Sequence, residues 1–237
     1  MRENNLDQLS KLMKQSSYTV ILTGAGMSTE SGIPDFRSSQ GLWTKIDPMQ
    51  VARPETIEEN YKLFHEFYKM RVETLNTKNP HDGHRIIADW EKRGLVKTLI
   101  TQNVDGFHQL AGSQKILPLH GTIREFRCHH CQKKATESDF IHKKPCQYCG
   151  GPLRPNVVLF GESLPMSLLE QAMVEIHKST LVIVIGTSLR VYPVSQLPEM
   201  TKGKKVFINR ESVATTLFDL VIQGNAQEVL MALETRL

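Results

Sequence analysis

Four cysteines stand in two close pairs, Cys128-x-x-Cys131 and Cys146-x-x-Cys149, with residues 132–145 between them. A C-x-x-C knuckle points two thiolates the same way, and two knuckles close a tetrahedron on zinc. Four thiolates leave no open coordination position, so the expectation is one zinc ion with a structural role. His129 and His130 lie inside the first pair and could coordinate only by displacing a thiolate. Redox pairs are the competing reading, but neither C-x-x-C opens a helix of a thioredoxin-like unit. A nucleic-acid-binding zinc ribbon is another. Arg127, Lys133, Lys134, Lys143 and Lys144 would supply its charge, but only Phe140 and Tyr148 could stack on bases.

A second set of candidates sits where apolar runs stop. Gly24-Ala25-Gly26 follows the run Tyr18 to Thr23, and a glycine there lets backbone amides approach a phosphate closely. On that reading a side chain at Gly26 obstructs that approach and leaves the sheet intact. The dehydrogenase fingerprint is absent, because Thr29 stands where its third glycine belongs and no acidic residue ends a second strand about 20 residues on. Taken alone, the turn fits a plain chain reversal equally well. Gln102, Asn103 and Asp105 follow the run ending at Thr101. Their amides and carboxylate could hold a carboxamide and a ribose, or cap a turn. Gly186-Thr187-Ser188 and Asn209 end two further runs. His120, one of nine histidines, follows Ile116 to Leu119 and precedes Gly121. An imidazole there can take a hydroxyl proton near neutral pH. His108 is read as structural.

The elements that must position these residues follow from periodicity. Leu6, Leu9, Leu12 and Met13 predict an amphipathic helix over 7–15. The runs 18–23, 95–101, 181–186 and 205–209 are rich in β-branched and apolar residues, as strands buried on both faces are. Helical stretches over 55–75, 84–93 and 168–178 alternate with them, which predicts a parallel sheet with crossover helices, a doubly wound α/β core. Residues 38–80 and 124–155 interrupt that alternation. They are expected to form a smaller lobe from a helical and a zinc-binding insertion, with residues 1–37, 81–123 and 156–237 making the larger one. The two lobes would meet in a cleft at the carboxyl ends of the strands.

Five blocks then carry a family resemblance. The stretch Gly24-Ala25-Gly26-Met27-Ser28-Thr29-Glu30-Ser31-Gly32-Ile33-Pro34-Asp35-Phe36-Arg37 resembles the cofactor loop of sirtuins, the NAD-dependent protein deacylases. Thr101 to Asp105, Leu119-His120-Gly121, Phe160-Gly161-Glu162 and Gly186-Thr187-Ser188 resemble further blocks of that family, in its order, over nearly the whole chain from Tyr18 onward. The resemblance implies a Rossmann-like sheet and NAD as cosubstrate. Gly24, Ala25, Gly26, Thr29, Asp35, Phe36 and Arg37 would belong to the cofactor loop. Gln102 and Asn103 would contact the nicotinamide ribose, and Asp105 with the backbone of Val104 would hold the carboxamide. Gly186, Thr187, Ser188, Asn209 and Ala226 would line the adenosine half. His120 would be the base: the acyl oxygen attacks the nicotinamide ribose, nicotinamide leaves, and His120 takes the ribose hydroxyl proton. The products would be nicotinamide, free lysine and 2′-O-acyl-ADP-ribose, with no metal in the chemistry.

The same resemblance implies acetylated proteins as substrates, added as a strand between Val158-x-Phe160-Gly161-Glu162 and Leu189-x-Val191. Tyr68 and Arg71 stand three apart on one predicted helix face, and a phenol beside a guanidinium can hold a carboxylate. They resemble the Tyr-x-x-Arg of sirtuins that remove succinyl and malonyl groups. Thr29 and Asp35, however, depart from those members, which typically carry Ala and Thr there. Deacetylation is therefore the expected main activity. A mono-ADP-ribosyltransferase on the same scaffold and a non-enzymatic zinc and nucleotide sensor are the alternatives.

Composition excludes little else. At 237 residues with 40% hydrophobic and 23% charged residues the chain is ordinary globular protein, and its +4 charge is too scattered to argue nucleic acid. No apolar run reaches the ~20 residues of a membrane span, and the polar first residues lack a signal-peptide centre. A cytoplasmic address, no membrane partner, and a monomer in preference to an oligomer are the corresponding expectations.

Overall fold

The computed structural model describes residues 2–211 and 216–237. Helix α1 (Arg2–Gln15) leads into β1 (Thr19–Thr23). Short helices α2 (Pro48–Val51) and α3 (Pro54–Glu59) precede α4 (Tyr61–Asn76) and α5 (Asp82–Lys92). There follow β2 (Thr98–Thr101), α6 (Phe107–Leu110), β3 (Ile116–Pro118), β4 (Gly121–Cys128), β5 (Lys134–Ala135), α7 (Glu137–Ile141) and β6 (Leu153–Val157). The chain closes with α8 (Met166–Lys178), β7 (Leu181–Ile185), β8 (Lys204–Asn209), β9 (Leu220–Gln223) and α9 (Ala226–Glu234).

Six strands pair in parallel in the order β3-β2-β1-β7-β8-β9. Counted within that sheet alone, the order is 3-2-1-4-5-6, that of a doubly wound Rossmann-like fold. Every residue of β1, β2 and β7 is buried, because helices cover both faces. One face packs against α1, α5 and α9 through Leu9, Trp90 and Leu230, and the other against α8 through Ala172 and Ile176. The direction of the chain reverses between β1 and β7, and their carboxyl ends flank the crevice that such a reversal opens.

A separate antiparallel sheet has the order β5-β4-β6. It packs with α4 and α7 around Phe64, Phe126 and Phe140, in a core distinct from that of the large sheet. Both β4 and β6 run across the divisions expected at 123/124 and 155/156, so this sheet extends beyond the segment 124–155 at both ends.

The first helix, expected over 7–15, begins already at Arg2, and three further elements differ from the periodicity reading. The helix expected over 55–75 breaks at Asn60, whose Oδ1 accepts from Leu63 N at 3.2 Å and starts a new helix. The strand expected from Leu95 begins only at Thr98. The Leu95 and Val96 amides instead return to Trp90 O at 2.9 and 3.2 Å, closing the end of α5. Finally, β9 lies outside the four apolar runs: it is four residues long and alternates buried and exposed at the sheet edge.

Candidate active site

The glycine turn lies at the reversal point. Gly24 N donates to Ile185 O at 3.0 Å and Gly26 N to Gly186 O at 2.7 Å, so the loops after β1 and β7 are fastened together. A Cβ on Gly26 would stand 2.8 Å from Gly186 Cα and 2.9 Å from its carbonyl oxygen. Gly186 has φ +63, and a Cβ there would meet Met27 N. The expectation that a side chain at Gly26 obstructs only the cofactor is therefore revised: the backbone of Gly186 already fills that space. Gly26→Ala should lower Tm by the equivalent of about 1–3 kcal/mol of overpacking, together with NAD affinity. An unchanged Tm alongside lost NAD binding by calorimetry would contradict this.

Above this turn opens a cavity of about 760 Å³. Its wall includes Gly24, Ala25, Gly26, Thr29, Asp35, Phe36 and Arg37 from the first loop, and Gln102, Asn103, Val104 and His120 from the ends of β2 and β3. Gly186, Thr187 and Ser188 follow β7, Asn209 ends β8, and Ala226 starts α9. Asp35 shapes the loop through its Oδ1, which accepts from the amides of Arg37 and Ser38 at 3.1 and 2.8 Å. Gln102 Nε2 donates to Thr187 Oγ1 at 3.1 Å, linking the two sides of the reversal.

His120 Nδ1 lies 3.0 Å from Gln102 O. A carbonyl can only accept, so this nitrogen carries the proton and Nε2 keeps its lone pair. Burial, then the Arg37 charge, push the His120 pKa below the ordinary histidine value, against the Gln102 bond that raises it. The ring is thus a neutral base at pH 7.

Asp105 does not line the cavity. It is 7% exposed, and its carboxylate accepts from Ser28 Oγ at 2.7 Å and Phe107 N at 2.9 Å. Burial raises its pKa despite those bonds. Asn103 Nδ2 reaches Gly24 O at 3.0 Å and Ser28 Oγ at 3.3 Å. Ser28 is thus the hub behind the wall, also 3.5 Å from His84 Nε2. It stands within the cofactor-loop block, yet nothing in its type or spacing marked it. His108, read as structural, is buried with Nε2 3.1 Å from Thr23 Oγ1, and burial drives its pKa down to about 3.

Val158, Phe160, Gly161, Glu162 and Val191 also reach the cavity, as do Tyr68 and Arg71 from α4. Leu189 does not: its backbone has φ +52 and its side chain packs into the sheet core beside α8. Glu162 faces the cavity, but its carboxylate is committed to Arg154, at 2.6 and 2.9 Å. The Arg71 guanidinium carbon lies 5.3, 5.5 and 5.4 Å from the ring centres of Phe36, Phe67 and Tyr68. It forms no ion pair with a carboxylate among the described residues.

The four cysteine sulfurs all lie within 4.8 Å of one another. Cys128 and Cys149 approach to 3.5 Å, Cys131 and Cys146 to 3.6 Å. A disulfide needs about 2.05 Å, whereas the edge of a tetrahedron with Zn–S near 2.3 Å is about 3.8 Å. The set fits one zinc held by four thiolates. Cys128 ends β4 and His120 immediately precedes that strand, so about 26 Å of extended chain separates the cysteine site from His120. The zinc is structural.

A family model described as the Sir2 family matches residues 24–193. The chain belongs to the Sir2 family. The NAD-dependent protein deacetylase 1 of Geobacillus kaustophilus is 45% identical over 235 residues, 97% of either chain. An NAD-dependent protein deacylase of Pyrococcus furiosus is 41% identical over 95% of both. Among solved structures, a Sir2 protein with a deacetylated p53 peptide and 3'-O-acetyl ADP ribose superposes with a TM-score of 0.93 at 34% identity, covering 97% of each chain. A Sir2 complex with a p53 peptide and NAD+ gives 0.87 at 34% identity over 96% of each. No helix among the described residues of this sirtuin is long and apolar enough to cross a membrane.

Proposed function

We propose that this sirtuin removes acetyl groups from protein lysines with consumption of NAD, releasing nicotinamide and 2′-O-acetyl-ADP-ribose. The observation that carries the reading is His120: Gln102 O fixes its protonated nitrogen, and the free one belongs to a neutral imidazole on the wall of the cavity. NAD, when bound, supplies the ribose carbon that captures the acyl oxygen and the nicotinamide that leaves. His120 Nε2 accepts the proton of a ribose hydroxyl. Gly24 to Gly26 and Arg37 hold the anionic part of the cofactor, Gln102 and Asn103 its ribose, and Gly186 to Ser188, Asn209 and Ala226 the adenosine half. Asp105 acts from behind the wall, fixing the Ser28 hydroxyl and the Phe107 amide. Val158 to Gly161 and Val191 pair with the backbone of the acetylated protein, a mode that gives affinity with little sequence selectivity. The site works as a monomer in the cytoplasm, a compartment that keeps the four cysteines reduced for zinc. The test is stoichiometric: acetyl loss should require NAD and release one nicotinamide per lysine, and deacetylation without NAD would overturn the reading.

Acetyl is the main acyl group, with succinyl and malonyl as second substrates read by Arg71. Arg71 is partly buried on the cavity wall with no carboxylate ion-paired to it among the described residues, and an acyl carboxylate would supply that partner. Losing a charged hydrogen bond of this kind costs about 1.5–3 kcal/mol, roughly 10- to 150-fold. Arg71→Met should therefore reduce desuccinylation by about that factor while changing deacetylation far less. A substantial succinyl rate untouched by Arg71→Met would show that Tyr68 and Arg71 do not read the carboxylate.

A further inference from the structure

Arg154 has no exposed surface, which is rare for an arginine. It is the second residue of β6, the strand that leads into the segment edging the cleft. Its Nη1 donates to Glu162 Oε1 at 2.6 Å, and its Nη2 to Glu162 Oε2 at 2.9 Å and to Val157 O at 2.7 Å. Glu162 Oε2 also accepts from Leu159 N at 2.8 Å, and Glu162 N returns to Leu159 O at 3.0 Å. One ion pair, its arginine buried and its glutamate partly exposed at the cavity, thus ties the turn 157–162 at its start, middle and end. Two outward bonds complete the support: Val158 N to His120 O at 2.9 Å and Phe160 N to Ala52 O at 2.8 Å. The carbonyls of Val158, Phe160 and Gly161 and the Gly161 amide have no partner among the described residues.

A buried ion pair is a poor source of stability, since well-packed apolar replacements are often as stable. What this one supplies is a fixed backbone edge, with unpartnered polar groups, among the residues that line the cavity. We infer that Arg154 and Glu162 are positioning residues for the peptide substrate: they hold the Val158 to Gly161 edge in the shape a peptide strand pairs with, and set peptide affinity without touching the peptide. This rests on the reading that an acylated peptide is the substrate. Holding the edge in its bound shape removes an ordering cost from binding, so freeing it weakens peptide binding and spares NAD.

The experiment compares Glu162→Gln with the unsubstituted holoenzyme on one acetylated peptide, varying peptide and NAD separately. The expected result is a rise in peptide KM of about tenfold, equivalent to ~1.4 kcal/mol, with NAD KM and zinc content unchanged and kcat altered much less. Glu162→Asp should recover part of the loss. The double variant Arg154→Met with Glu162→Leu removes the ties without leaving a lone buried charge, and should also show the raised peptide KM. In the unsubstituted protein, hydrogen exchange at the Leu159 amide should be slow without peptide. An unchanged peptide KM, an equal rise in both KM values, or fast Leu159 exchange would overturn the inference. A lack of deacetylation by the unsubstituted enzyme would instead count against the proposed function itself.

Discussion

His120→Ala should lower deacetylation by about 10²- to 10⁴-fold, the usual loss on deleting a general base, while Tm and zinc content hold. Among the described residues the ring makes one hydrogen bond, to Gln102 O, and forms no part of either sheet's core. Its pH signature follows from its environment. Burial lowers the pKa first, and Arg37 lowers it further. The protonated ring cannot accept a proton, so the rate falls as pH drops through this depressed pKa. The acid limb of kcat/KM should therefore lie below the ordinary histidine value of about 6.5. Arg37→Met, which removes the nearby positive charge, should move that limb upward. Full deacetylation by the alanine variant, or an acid limb above the ordinary value, would remove His120 from the role of base.

Cys146→Ala should abolish zinc binding, stability of the small lobe and activity together. Structural zinc sites contribute on the order of 10–16 kcal/mol in isolated fingers, comparable with the whole stability of a typical domain. The route from metal to chemistry is short in the sequence. β4 runs from Gly121, beside the base, to Cys128, and β6 pairs with it from Leu153 to Val157. Freeing the knuckle ends would loosen both strands, and with them His120 and the Val158 edge. Metal analysis, thermal melting and deacetylation on the same sample check this. A variant that kept its fold and lost only the reaction would mean the zinc is catalytic.

The large sheet was legible because β1 and β7 are buried on both faces, and such strands read as unbroken apolar runs in the sequence. The strand β9, four residues on the edge with Val221 exposed, carries too little of that signal. The cysteine site was legible from spacing alone, since two knuckles determine a tetrahedron. The cavity wall was legible at the strand ends, where polar residues interrupt apolar runs. What the spacing could not disclose is which polar side chains turn inward. Asp105 and Glu162 have the composition of ligand contacts, yet each spends its carboxylate on protein partners far along the chain or across a turn. Ser28, the hub of the buried network, and Arg154, an arginine inside a strand, acquire their roles only through residues 56 to 77 positions and 8 positions away. Gly26 was singled out for the right place and an incomplete reason, because its neighbour Gly186 lies 160 residues on and meets it only through the pairing of β1 with β7.

The most direct measurement of the central claim is the mass of an acetylated peptide and of the nucleotide products after incubation with the enzyme and NAD. The account predicts loss of the acetyl mass from the peptide, its appearance on ADP-ribose, and an equal yield of nicotinamide. A peptide that keeps its acetyl group and gains the mass of ADP-ribose would identify a transferase, and no change in either would leave only a nucleotide-binding protein.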